Sequence, residues 1–193
     1  MAAFAPRVIA QKTKVVVVAL VILAVAFVCQ MVAIATPGWL STHDVIIGLF
    51  LYCGSLTTTL RTRSTGECNQ IENLDIPGSL QAVRIMGVFS TGLVLTSFIT
   101  GCLHLWTVVR HEKINLKYVT ASLVAAFAAV LLTLVAAILF GADTRSAMPR
   151  MSLMVHYNLS YSYILYVMSG VLTVAGAVLV IATLRSLTRL LLV

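Results

Sequence analysis

The chain has 193 residues and a formal net charge of +7, with 60% hydrophobic and 10% charged residues, and its mean hydropathy is +1.03. Soluble domains are typically about 45–50% apolar and about 25% charged, so a water-soluble globule is excluded and intrinsic disorder with it. The 11 glycines have no triplet period, which excludes collagen, and 4 cysteines are too few for a disulfide-dense scaffold.

A helix crossing a hydrocarbon core of about 30 Å needs about 20 apolar residues. Four runs meet that need, at residues 15–35, 85–109, 119–140 and 161–183, which makes residues 1–193 a single four-span membrane domain. The first run has basic residues before it. Its apolar stretch exceeds the core of a signal peptide and no small-residue cleavage site follows, so it reads as a retained span. The runs are apolar all round, unlike the alternating strands of a membrane barrel.

Short connections orient the spans through their Lys and Arg. Arg7, Lys12 and Lys14 precede the first span, Arg110, Lys113 and Lys117 separate the second from the third, and Arg185 and Arg189 follow the fourth. With Glu112, these segments carry all of the +7 net charge; on the other side five arginines balance five acids. Both termini are therefore expected in the cytoplasm, with extracellular loops at residues 37–81 and 141–160. The basic balance then reports topology and attraction to anionic lipid, and nucleic acid is not needed to explain it.

The first loop is too long to be a simple turn. Residues 44–54 (DVIIGLFLYCG) and 55–63 (SLTTTLRTR) are rich in β-branched and aromatic residues, bounded by Gly, Ser and Asp, and read as strands of a small antiparallel sheet. Cys53 and Cys68 are the only cysteines outside the spans. On an oxidising surface a bond between them is the economical reading, against two free thiols or a metal site for which neither has a neighbouring ligand. Closing that loop would contribute about 3 kcal/mol on the chain-entropy argument. Cys29 and Cys102 read as apolar filler within spans.

Trp39 in Pro37-Gly38-Trp39-Leu40, then Gly48-Leu49-Phe50 with Cys53 after two residues, then Cys68, resembles the W…GLW-x-x-C…C signature of the claudin superfamily. That superfamily includes the peripheral myelin and epithelial membrane proteins and the stargazin-like auxiliary subunits. Gln81-Ala82-Val83-Arg84 is similar to the Q-A-x-R that heads the second span in claudins, and Tyr161-Ser162-Tyr163-Ile164-Leu165 looks more like the epithelial membrane and myelin branch. Phe50 stands where the family has Trp, and the 14 residues between the cysteines exceed the usual spacing. The resemblance implies an α-helical membrane protein, a left-handed four-helix bundle carrying an extracellular antiparallel sheet formed mainly by the first loop, its last strand donated by the second.

The resemblance also implies that Trp39 and Gly48-Leu49-Phe50 pin the sheet to the bundle and that Arg84 ties the top of its helix to the loop. Taken alone, Trp39 suits the membrane interface. Arg61, Arg63, Glu67, Glu72 and Asp75 are the candidate pore charges, with a solvated loop face as the competing reading. Asn158-Leu159-Ser160 is a glycosylation sequon on the same side. Within the spans, Gln30 suits an interhelical hydrogen bond and His104 snorkelling or a local bond. The alanines of residues 120–137 and Ser169, Thr173 and Ala177 at four-residue spacing suit close helix contact.

No C-x-x-C, H-E-x-x-H or activated-nucleophile arrangement occurs, so neither an enzyme nor a cofactor is expected. The reading that follows is a junction protein of the plasma membrane at cell–cell contacts, associating with like molecules in cis and in trans to form a paracellular barrier or pore. The alternatives are a membrane-organising adhesion protein of the epithelial or myelin type, and a stargazin-like subunit of a channel or receptor, which usually carries a longer tail. Leu191-Leu192-Val193 has the hydrophobic-x-hydrophobic end that a PDZ groove accepts, and amphipathic contact of residues 185–193 with the membrane surface competes with it.

Overall fold

A computed structural model describes residues 5–41, 45–54, 68–70, 78–111, 116–146 and 158–191, and in it every apolar run lies inside a helix longer than itself. Helix α1 spans Ala5–Ala35, α2 Gly78–His111, α3 Leu116–Ser146 and α4 Tyr161–Leu191. Each contains a stretch long and apolar enough to cross a membrane: Lys14–Ala35, Gly78–Arg110, Leu116–Ala142 and Tyr161–Thr183. The expected loop boundaries shift accordingly, since residues 78–81 already belong to α2 and residues 141–146 still belong to α3. Backbone hydrogen bonding carries a helix past the end of its apolar run until a residue forbids it. For α1 that residue is Pro37, which has no N–H and biases Thr36 out of the helical region. The last turn closes on Val32 O, which accepts from both Thr36 N (3.0 Å) and Thr36 Oγ1 (2.7 Å).

The side chains are arranged for lipid. Large apolar groups lie outside, among them Val21 (57% exposed), Phe89 (64%) and Phe127 (67%), while Gln30, Ser90, Ser97, Ser122, Thr133 and Ser169 are buried. In water this arrangement would be reversed. In a bilayer the outer face meets a solvent as apolar as leucine, and small or polar residues serve the helix contacts. The protein is a multi-pass membrane protein.

The chain divides into two compact units, each drawing on all four helices. The first comprises Met1–Phe27, Ser90–Leu131 and Ser169–Val193. Here α2 and α3 are joined by a reciprocal pair, Ser97 Oγ donating to Ser122 O and Ser122 Oγ to Ser97 O, each at 2.9 Å. Ala26, Val94 and Ala129 form its apolar core, with Phe27, Leu93 and Leu172 packed against them. Ser169 and Thr173 are both buried, and the Thr173 hydroxyl donates to Ser169 O at 2.8 Å, so this small face of α4 turns inward. His104 does not snorkel. It is only 8% exposed, because its place on α2 faces the other helices.

The second unit comprises Val28–Phe89 and Leu132–Met168 and holds the sheet. Five short strands, β1 Leu40–Ser41, β2 Val45–Ile47, β3 Leu51–Gly54, β4 Cys68–Gln70 and β5 Asn158–Leu159, lie in the order β4-β3-β2-β1-β5. Every pairing is antiparallel, and β5 comes from the connection before α4. Residues 44–54 are therefore not one strand. Residues 45–54 fold as a hairpin, β2 pairing with β3 from Ile47↔Tyr52 outward, because the Gly48–Phe50 stretch reverses the chain with Gly48 N donating to Leu51 O at 2.8 Å. The 55–63 stretch lies outside the described residues. Gln30 makes the interhelical bond its position suggested, Nε2 donating to Thr133 Oγ1 of α3 at 3.4 Å.

Candidate functional site

The sheet meets the helices through the four residues between α1 and β1. Thr36, Pro37 and Gly38 turn the chain so that Trp39 N donates to Ile47 O (3.1 Å). From the other side, Ser160 N donates to Trp39 O (3.1 Å) and Ser162 N to Gly38 O (2.9 Å). The Thr36 and Ser162 hydroxyls share a further bond of 2.7 Å. These contacts fasten the ends of α1 and β1 to the start of α4. They also dictate glycine at 38, where a Cβ would collide with the Tyr161 ring.

Trp39 is fully buried, so its ring meets protein and not the membrane interface. Its indole Nε1 donates to Ala33 O at 2.6 Å. Around it stand Phe140 of α3 (centroids 4.9 Å apart, edge-on) and Tyr166 (5.2 Å) and Tyr163 (6.1 Å) of α4. Phe140 and Tyr163 stack at 5.9 Å, and the Tyr163 hydroxyl donates to Ala137 O at 3.3 Å. Such aromatic pairs are worth about 0.5–1.5 kcal/mol each beyond their burial. The three partners were missed in the sequence. Their signal was the Tyr163/Tyr166 spacing, which puts both rings on one face of a helix, and an aromatic at the end of the third span.

The Gly48-Leu49-Phe50 turn points its members in different directions. Gly48 is confined, since a Cβ there would lie 2.5 Å from Pro37 Cα. Leu49 is fully buried and packs with Val83, Leu40 and Trp39 in one apolar cluster. Phe50 stays 40% exposed, and Arg84 of α2 lies with its guanidinium carbon 5.4 Å from the centre of that ring. Cation–π contacts of this kind contribute about 0.5–2 kcal/mol. Four residues of the sequence signature, Trp39, Gly48, Leu49 and Phe50, thus converge with Arg84 at one end of the unit.

Within the sheet, Leu40 and Ile47 are register partners, Leu40 buried in the core and Ile47 partly buried against it. The neighbouring row runs Asn158, Ser41, Ile46, Cys53, Cys68 from β5 to β4. Ile46 on this row is 40% exposed. Cys53 and Cys68 are direct register partners. Directly opposed residues on antiparallel strands have Cα atoms about 4.5–5.5 Å apart, within the span of a disulfide. Cys53 is disulfide-bonded, whereas Cys29 and Cys102 are free thiols. Among the described residues the sheet ends in β4 and β5, and Leu159 on β5 is 46% exposed. The charges singled out in the sequence, Arg61, Arg63, Glu67, Glu72 and Asp75, lie outside the described residues.

A family model for tight junction proteins, claudin-like, matches residues 9–185. The chain belongs to the claudin-like family. A comparison with curated proteins finds no match. Membership in a family of junction proteins gives the claudin-like chain a setting for its sheet, with the Trp39 and Phe50–Arg84 contacts as the fixture holding it to the helices.

Proposed function

We propose that this claudin-like protein lies in the plasma membrane at cell–cell contacts, both termini cytoplasmic, with the sheet outside. It associates through that sheet with like molecules, side by side in one membrane and head to head across the gap, forming a paracellular barrier or pore. The observation that carries this reading is a sheet fixed to the helices through Trp39 and Arg84 that, among the described residues, ends in β4 and β5, with Ile46 and Leu159 exposed. Edge strands offer unpaired N–H and C=O groups for pairing with another chain, and exposed apolar side chains supply area to bury. The Cys53–Cys68 bond, supported by their register, would hold β3 and β4 together at one of those edges. Arg61, Arg63, Glu67, Glu72 and Asp75 would then border the path for ions.

Freeze-fracture imaging after expression in cells without junctions tests the reading. Continuous strands at contacts are expected; scattered particles would favour the adhesion protein or the auxiliary subunit instead. In a sealed monolayer, reversing Glu67, Glu72 and Asp75 to Lys changes the cation-to-anion permeability ratio if those charges line the path. A purified protein that conducts ions through its own helices in a planar bilayer would defeat the proposal, because the path proposed runs between membranes along the sheet.

A further inference from the structure

In the first unit, Ile99, Leu103, Trp106 and Arg110 follow one another along α2 at spacings of four, three and four residues, which sets them on one face of the helix. That face looks outward. Trp106 is 62% exposed and Ile99, Leu103 and Arg110 are exposed with it, whereas Ser97 and His104 on the other side of the helix are buried. The guanidinium carbon of Arg110 lies 5.6 Å from the centre of the Trp106 ring. Among the described residues neither side chain has a hydrogen bond or ion pair.

The face carries three chemistries in the order in which a phospholipid carries its own. Arg110 closes the membrane-crossing stretch of α2 and is a cation whose planar N–H groups suit a phosphate. One turn deeper, Trp106 is an amphipathic ring with an N–H to donate, of the kind that settles between headgroups and hydrocarbon. Leu103 and Ile99 continue as an apolar track. From Ile99 to Arg110 the helix rises about 16 Å, close to half of a hydrocarbon core about 30 Å thick, so the track matches one leaflet. We propose that this face is a binding site for one anionic phospholipid, its phosphate on Arg110, its ester region against Trp106 and an acyl chain along Leu103 and Ile99. An anionic headgroup is the occupant because the segments beyond this end of the spans carry all of the +7 net charge, and a zwitterionic headgroup would bring a further cation into that field. The site stands whether or not the sheet seals a junction.

The chain's two tryptophans make the site readable, since Trp39 is fully buried and Trp106 is not. The full chain is reconstituted in phosphatidylcholine vesicles that contain a fixed share of phosphatidylserine or phosphatidylcholine brominated in its acyl chains, which quenches a nearby indole. The Trp106 signal is the difference between the unaltered protein and Trp106→Phe. Brominated phosphatidylserine is expected to quench it at about fivefold lower content than brominated phosphatidylcholine, the gain from one basic residue at an anionic surface. Arg110→Gln should remove most of that preference, and Lys14→Gln, which takes the same charge from α1, should leave most of it. Equal quenching by the two lipids, or none by either because another chain covers the ring, overturns the proposal. So does a preference that survives Arg110→Gln, or one that falls equally in both charge variants, since net charge alone would then attract the lipid.

Discussion

The guanidinium of Arg84 stands over the ring of Phe50, 5.4 Å from its centre, and joins the second span to the turn between β2 and β3. An aromatic at 50 and a cation at 84 thus act as one clasp, and the pair accounts for a charged residue near the head of an apolar helix. Phe50→Leu is expected to lower stability in detergent by about 1 kcal/mol, and Phe50→Trp to keep or raise it, since indole is the stronger cation partner. A double-mutant cycle with Arg84→Met should give a coupling of about 0.5–2 kcal/mol, read from thermal unfolding.

Trp39 should be far less forgiving. Trp39→Phe removes the bond to Ala33 O and leaves a buried carbonyl with one partner fewer, at a cost of about 1–3 kcal/mol. Trp39→Ala also empties the space between Phe140, Tyr163 and Tyr166 and should cost about 3–5 kcal/mol. Surface delivery measured by biotinylation should fall in the same order.

Gly38→Ala probes the seam between the sheet and α4. Its new Cβ meets the Tyr161 ring, so that ring must move, straining the Ser162 N to Gly38 O bond. Adding Tyr161→Ala to Gly38→Ala should recover part of the lost melting temperature. No recovery in the double variant would show that Tyr161 is not the obstacle.

The proposed Cys53–Cys68 bond predicts that maleimide labelling of intact, unreduced cells misses both thiols. Cys53→Ser should lose about 2–5 kcal/mol and expose Cys68 to the reagent.

The charge asymmetry makes its own prediction, that epitope tags at either terminus are reached by antibody only after permeabilisation. Staining of intact cells would reverse the topology and move the sheet to the opposite side.

What the chain determines by itself is its relation to the membrane. Span number follows from runs of about 20 apolar residues and the expected orientation from Lys and Arg in short connections, because a bilayer acts on segments one at a time. The signature around Trp39, Gly48-Leu49-Phe50 and Cys53 also pointed to the end of the chain's fold where structure gathers. Tertiary structure decided the rest. Residues 44–54 look like one strand by composition, and only the Gly48 to Leu51 bond and the pairing of Ile47 with Tyr52 make residues 45–54 a hairpin. His104 could snorkel from an isolated helix; inside the first unit the neighbouring helices bury it. Trp39 suits the interface until Phe140, Tyr163 and Tyr166, more than 100 residues away, close around it. Hydropathy and charge are sums over neighbours in sequence, whereas a cation over a ring or an indole inside an aromatic cage depends on which distant segments meet.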